Sequence, residues 1–198
     1  ERFEDIPDVL SQLIRTAFIP PEDKKFIVAD FSAIEARVIS WLAGETWRMD
    51  AFANGEDIYC ACAAKMFGVP VEKNGVNGHL RQKGKIAELA CGYGGSIGAI
   101  KAMGGTELNL TDDELYSLVE DWRKTSPNIV KLWSDVQSVA VKVITDQSSM
   151  TFGRLKFSYE IGILFIELPS GRRLAYVRPK VEKDDNGKTI ITYEGVGD

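Results

Sequence analysis

The stretch Arg81-Gln82-Lys83-Gly84-Lys85-Ile86-Ala87-Glu88-Leu89-Ala90-Cys91-Gly92-Tyr93-Gly94 decides how the rest of the chain is read. Positions 81, 85 and 89 follow one another at i+4, so a helix sets guanidinium, ammonium and apolar side chain in one drifting stripe. Tyr93 and the glycines end it. A nucleoside triphosphate has the same order of parts, from charged phosphates to an apolar base. Arg grips phosphate oxygens bidentately, and Lys supplies a mobile point charge or a proton. The plainer alternative is a solvated basic face on a surface helix. Against it, Glu88 is the only acid between His79 and Lys101.

Working outward, helical periodicity dominates up to residue 148. Val9, Leu10, Leu13, Ile14 and Ala17 make a helical stripe over Asp5 to Phe18, ended by Pro20-Pro21. Lys24 to Asp30 is short, apolar and branched, and reads as a buried strand with an aspartate at its end. Ile34, Val38, Trp41 and Leu42 then mark a helix closed by Gly44, with Ser32 and Glu35 at capping-box spacing. Thr46 to Phe67 is helical with a break at Asn54-Gly55, and Val69 to Gly78 is loop. His79 to Cys91 is the helix quoted above. Thr111 to Glu114 starts another, and Pro127 divides it from the next. From Met150 the period changes to two: Thr151 to Tyr159, Ile163 to Leu168 and Arg172 to Val177 read as strands. Val181 to Tyr193 reads as a hairpin about Asp185-Asn186-Gly187. The class is therefore α+β, mainly helical.

The chain has 198 residues, 44% hydrophobic and 27% charged, with a net charge of −5. That composition excludes an intrinsically disordered chain and lacks the overall positive charge of a dedicated duplex-binding module. A local basic stripe can still hold phosphate on an acidic protein. No apolar run is long enough for a membrane span, and the first residues do not make a signal peptide, so a soluble intracellular protein is expected. Cys60, Cys62 and Cys91 read as reduced, buried thiols, and the single histidine, His79, excludes a zinc site built on two histidines.

The segments Asp30-Phe31-Ser32-Ala33-Ile34-Glu35-Ala36-Arg37 and Arg81-x3-Lys85-x3-Leu89-x3-Tyr93-Gly94 resemble motifs A and B of family A DNA polymerases, closest to the phage-type branch. Gly55-Glu56-Asp57-Ile58-Tyr59, Met66 to Pro70, the turn from Trp122-Arg123 to Pro127, and Leu168 to Arg172 extend the resemblance over nearly the whole chain. It implies fingers helices plus part of the antiparallel palm sheet. Residues 1–44 would be palm with motif A, 45–148 fingers with motif B, and 149–198 a β-rich extension of palm or fingers, truncated before motif C.

By the same resemblance, Asp30 would be a catalytic, metal-binding aspartate for Mg²⁺, with the Phe31 carbonyl a further ligand. Glu35 would be the steric gate beneath the sugar, hydrogen-bonded to Tyr93. Arg81 and Lys85 would bind the triphosphate, with Lys85 the general acid for pyrophosphate. Tyr93 and Gly94 would stack under the templating pair, and Ser32 and Arg37 would support them. Leu89 stands where many members have Phe. Tyr59, facing phosphate, stands where many have His and cannot carry positive charge at neutral pH.

The family's third motif, a His-Asp-Glu triplet, does not occur in the sequence. Two-metal phosphoryl transfer needs carboxylates that hold both cations. The resemblance therefore implies a fragment of a template-directed DNA polymerase, inactive alone, whose partners are primer-template DNA and dNTP. Its place would be the cytoplasm, that of a bacterial host if phage-encoded. Exposed strand edges near the C-terminus would allow self-association. Two other classes stay open: a non-catalytic nucleotide- or nucleic-acid-binding module, and a nuclease with Asp30 and Glu35 as metal ligands and Asp50, Glu56 or Asp57 nearby.

Overall fold

The computed structural model describes residues 10, 13–105 and 110–195. It divides into two units, with the boundary between Ser32 and Ala33. In the first unit a 3-10 turn spans Arg15–Ala17. The rest of the helix expected over Asp5 to Phe18 lies largely outside the described residues. The strand expected over Lys24 to Asp30 does not form. These residues are irregular and exposed, with Ile27 88% and Val28 91% accessible. A strand exists by pairing, and among the described residues the five strands that form pair only with one another.

The second unit is α+β. Its helices are α1 (Ile34–Ala43), α2 (Thr46–Ala53), α3 (Ile58–Phe67), α4 (Leu80–Cys91), α5 (Ile97–Ala102), α6 (Asp112–Thr125) and α7 (Pro127–Asp146). Gly44 ends α1 in the left-handed conformation, as its position suggested. The start differs. Ala33, not Ser32, is the N-cap, at φ 50 and without a side-chain cap, so the Ser32–Glu35 capping box does not form. Thr111 and Glu114 do make a full capping box on α6, and Pro127 opens α7. The short helix α5 has no counterpart in the sequence reading.

Five strands follow in a meander: β1 (Ser149–Phe152), β2 (Leu155–Glu160), β3 (Ile163–Glu167), β4 (Arg173–Lys183) and β5 (Thr189–Glu194), all antiparallel neighbours. The single strand expected over Thr151 to Tyr159 is two, because Gly153 turns the chain at φ 56. Conversely, the two segments read as ending at Val177 and starting at Val181 are one strand. A bulge lies between Val177 and Lys180, where Arg178 takes φ 47.

Two apolar cores share α7. Ile86, Ala87, Ala90 and Cys91 of α4 pack with Cys62, Ile100, Leu115, Leu118, Val119, Trp122 and Ile129. Further along α7, Ala140 and Val143 meet Leu155, Phe157 and Leu164 of the sheet. Trp122 and Trp133 stack at 5.9 Å, which fixes α6 against α7. One side of α4 is thus locked into a core, and the residues on its other side are held in place.

Candidate functional site

Everything in the site hangs on how closely α4 approaches α3. A Cβ at Gly84 would sit 2.3 Å from the Tyr59 carbonyl oxygen and 2.9 Å from the Ala63 Cβ, so only glycine permits the approach. Asp57 caps α3: its carboxylate accepts from the backbone N–H of Tyr59 at 3.0 Å and of Cys60 at 3.2 Å. Across the narrow gap Arg81 donates Nε to the same carboxylate at 2.8 Å, and its Nη2 ion-pairs with that oxygen at 2.8 Å. The guanidinium also lies over the Tyr59 ring, 5.2 Å from its centroid.

These contacts set the local electrostatics. Burial pushes the Asp57 carboxyl up, but Arg81 and the two capping N–H groups outweigh it and hold the group below the usual aspartate value. Arg81 is raised, first by its hydrogen bond to Asp57. The Tyr59 phenol is pushed up by burial and then by the Glu88 carboxylate, with Glu35 among the smaller contributors.

Farther along α4, Glu88 is buried and fully engaged. It pairs with the Arg48 guanidinium through Nη1 and accepts from Trp122 Nε1 at 2.9 Å. Arg48, itself inaccessible, also donates to the Ser126 hydroxyl at 2.8 Å and lies between the Trp47 and Trp122 rings at 4.6 and 5.0 Å. Arg48 of α2 and Trp122 of α6 therefore clamp the last turn of α4 through Glu88. Past that turn the chain leaves the helix at Gly92, and Tyr93 and the left-handed Gly94 are exposed. The Glu35 carboxylate of α1 is close enough to the Tyr93 phenol to act on its ionisation. The phenol pKa is raised, by slight loss of hydration and then by Glu35.

The stripe Arg81, Lys85, Leu89 is on one continuous helix, but it is not fully exposed. All three are half-buried, and Arg81 is already ion-paired, because the α3 cap stands opposite it. Lys85 takes part in none of the ion pairs among the described residues. The arrangement offers an anion a guanidinium, an ammonium and the Tyr59 hydroxyl. Asp30 and Phe31 lie in the first unit, both exposed. Among the described residues no group of three or more His, Cys, Asp or Glu could hold a metal ion. Asp57 is engaged by its cap and by Arg81, which makes it a poor member of the acidic cluster that a nuclease would need.

Residues 5–161 match the family model described as DNA polymerase family A. The chain belongs to DNA polymerase family A. It is 53% identical to the DNA polymerase of Bacillus phage SP02 over 195 residues, 98% of this chain but 30% of that protein. It is 39% identical to DNA polymerase I of Pseudomonas aeruginosa over 92 residues, 46% of this chain and 10% of the relative. With the thermostable DNA polymerase I of Thermus thermophilus it shares 32% over 124 residues, 63% of this chain and 14% of that one. The chain thus spans under a third of the length of these family A relatives. No helix among the described residues is long and apolar enough to cross a membrane.

Within this family A chain, sequence reasoning picked out the basic stripe, Glu35, Tyr59 and Tyr93. It missed the Arg48–Glu88 clamp and the hold of Asp57 on Arg81. An acid standing alone in a basic helix was the only sign of the clamp. For Asp57 the sign was an aspartate directly before a helical run, at Asp57-Ile58.

Proposed function

We propose that this chain supplies the nucleotide-gripping part of a template-directed DNA polymerase, which joins a dNTP to a primer 3′-hydroxyl. The observation that carries the proposal is the half-buried face of α4, where Arg81 and Lys85 stand one turn apart and Tyr59 flanks Arg81. Arg81 and Lys85 bind the triphosphate, Tyr59 donates a hydrogen bond to phosphate, and Lys85 protonates departing pyrophosphate. Leu89 lies against the base. Glu35 stands beneath the sugar and disfavours a ribose, with Tyr93 holding its carboxylate. Tyr93 and Gly94 lie under the templating pair.

In this reading residues 1–44 belong to the palm, 45–148 to the fingers and 149–198 to a β-rich extension. Family membership implies Mg²⁺, with Asp30 and the Phe31 carbonyl as ligands. Asp30 lies in an exposed segment, and the described residues do not complete a two-ion site. Primer-template DNA is the partner, and the bacterial cytoplasm, a phage host's included, is where these substrates meet. The outer edges of β1 and β5 are where a second copy could pair.

The test is template-dependent primer extension. The 198-residue chain alone binds dNTP without extending a primer. In the full-length enzyme Lys85→Ala lowers kcat and Arg81→Ala raises KM. Robust extension by the 198-residue chain overturns the proposed division of labour. Retained binding with no role for either residue in the full enzyme favours a nucleic-acid-binding module without chemistry.

A further inference from the structure

Arg81 reaches the surface already held. Its Nε and Nη2 both lie 2.8 Å from one oxygen of Asp57, and the other oxygen of that carboxylate is tied to the N-terminus of α3 through Tyr59 and Cys60. The Tyr59 ring supports the face of the guanidinium at 5.2 Å. Neither contact to Asp57 uses the second terminal nitrogen, Nη1. A free arginine side chain must give up rotamer freedom before it can meet a phosphate, and this one has given up most of it in advance.

We infer that Asp57 is a positioning residue for triphosphate binding, holding the guanidinium of Arg81 by one edge so that its Nη1 end faces the phosphates. The inference rests on the proposed nucleotide-binding role of Arg81. An aspartate beside a polyanion site repels the ligand in its own right, so its benefit must pass through Arg81. The grip also explains the glycine at 84, since any Cβ there would separate α4 from the α3 cap that carries Asp57. Charge is needed for the grip but not for the cap, because Asn and Ser also cap helices well.

The experiment measures binding of inorganic tripolyphosphate and of dATP to the full chain. The proteins are the parent, Asp57→Asn, Asp57→Ser, Arg81→Ala and the Asp57→Asn/Arg81→Ala double variant. Asp57→Asn and Asp57→Ser keep the parent melting temperature and weaken both ligands about three- to fivefold, the range of a half-exposed ion pair. Arg81→Ala weakens them about tenfold, and adding Asp57→Asn to it costs nothing more, because the two residues act as one unit. If Asp57→Asn tightens binding, leaves it unchanged, or weakens it equally in the Arg81→Ala background, the positioning role is wrong while the nucleotide site stands. If the parent binds neither ligand, the nucleotide-binding reading fails and the inference falls with it.

Discussion

The Glu35 carboxylate acts on the Tyr93 phenol, linking the first turn of α1 to the residue just past α4. The link depends on a helix start that runs against simple capping rules. Had Ser32 and Glu35 closed a capping box, Glu35 would have turned back on its own N-terminus. With Ala33 at the cap in a left-handed conformation, the carboxylate is available to Tyr93. The phenol is held in its protonated form, so Glu35→Gln should lower the Tyr93 pKa toward that of a free tyrosine. Tyrosinate absorbance followed through an alkaline titration reads this directly. An unchanged curve would show that the two groups do not interact in solution.

Among the described residues Glu88 is the one carboxylate ion-paired with Arg48, and Trp122 also depends on it. Glu88→Ala leaves a buried guanidinium uncompensated and should cost about 3–5 kcal/mol in a urea melt. The Arg48→Met/Glu88→Met pair should recover part of that loss, since no charge is then stranded. Equal losses in the two variants would mean that packing, not charge pairing, dominates here.

Gly84→Ala pits helix propensity against packing. Alanine favours the helix by about 1 kcal/mol, but its methyl must displace the Tyr59 carbonyl or Ala63, an overpacking cost of about 1–3 kcal/mol. Net destabilisation, with weaker tripolyphosphate binding, is the expected result. A more stable variant would mean that α3 and α4 can part without loss.

Ile161 sits at φ 51 in the β2–β3 turn, fully exposed and followed by Gly162 at φ 77. A β-branched residue is strained there, and this two-residue turn favours Asn-Gly. Ile161→Asn should stabilise the chain by about 1 kcal/mol, visible as a higher urea midpoint. A lower midpoint would reveal a contact that the exposed side chain makes in solution.

Cys62 and Cys91 are inaccessible, and burial pushes the Cys91 thiol up to about 12. Neither should react with an alkylating reagent at pH 8 until the chain unfolds, whereas Cys60, at the edge of the core, should react first. The raised pKa stabilises the fold fully below the ordinary thiol value. That contribution is lost as pH rises from there toward about 12, because only the unfolded thiol ionises readily. Stability that does not fall over this alkaline range would contradict the burial of Cys91.

Local chemistry written in single residues was legible in the sequence. The glycine stop at Gly44, the capping box at Thr111 and Glu114, the proline opening of α7, the change of period at Met150 and the basic spacing on α4 all appear where the residues placed them. Each depends on neighbours within about one turn, so the chain carries the instruction itself. The partners had to come from the fold. Lys24 to Asp30 has every local mark of a strand and is none, because a strand needs a second chain segment for its hydrogen bonds. Arg81 meeting Asp57, Glu88 meeting Arg48 and Glu35 acting on Tyr93 link distant segments. Each charged group has several acids or bases at comparable reach in the unfolded chain. Only the packing of α4, one turn from a glycine that lets α3 close in, selects among them.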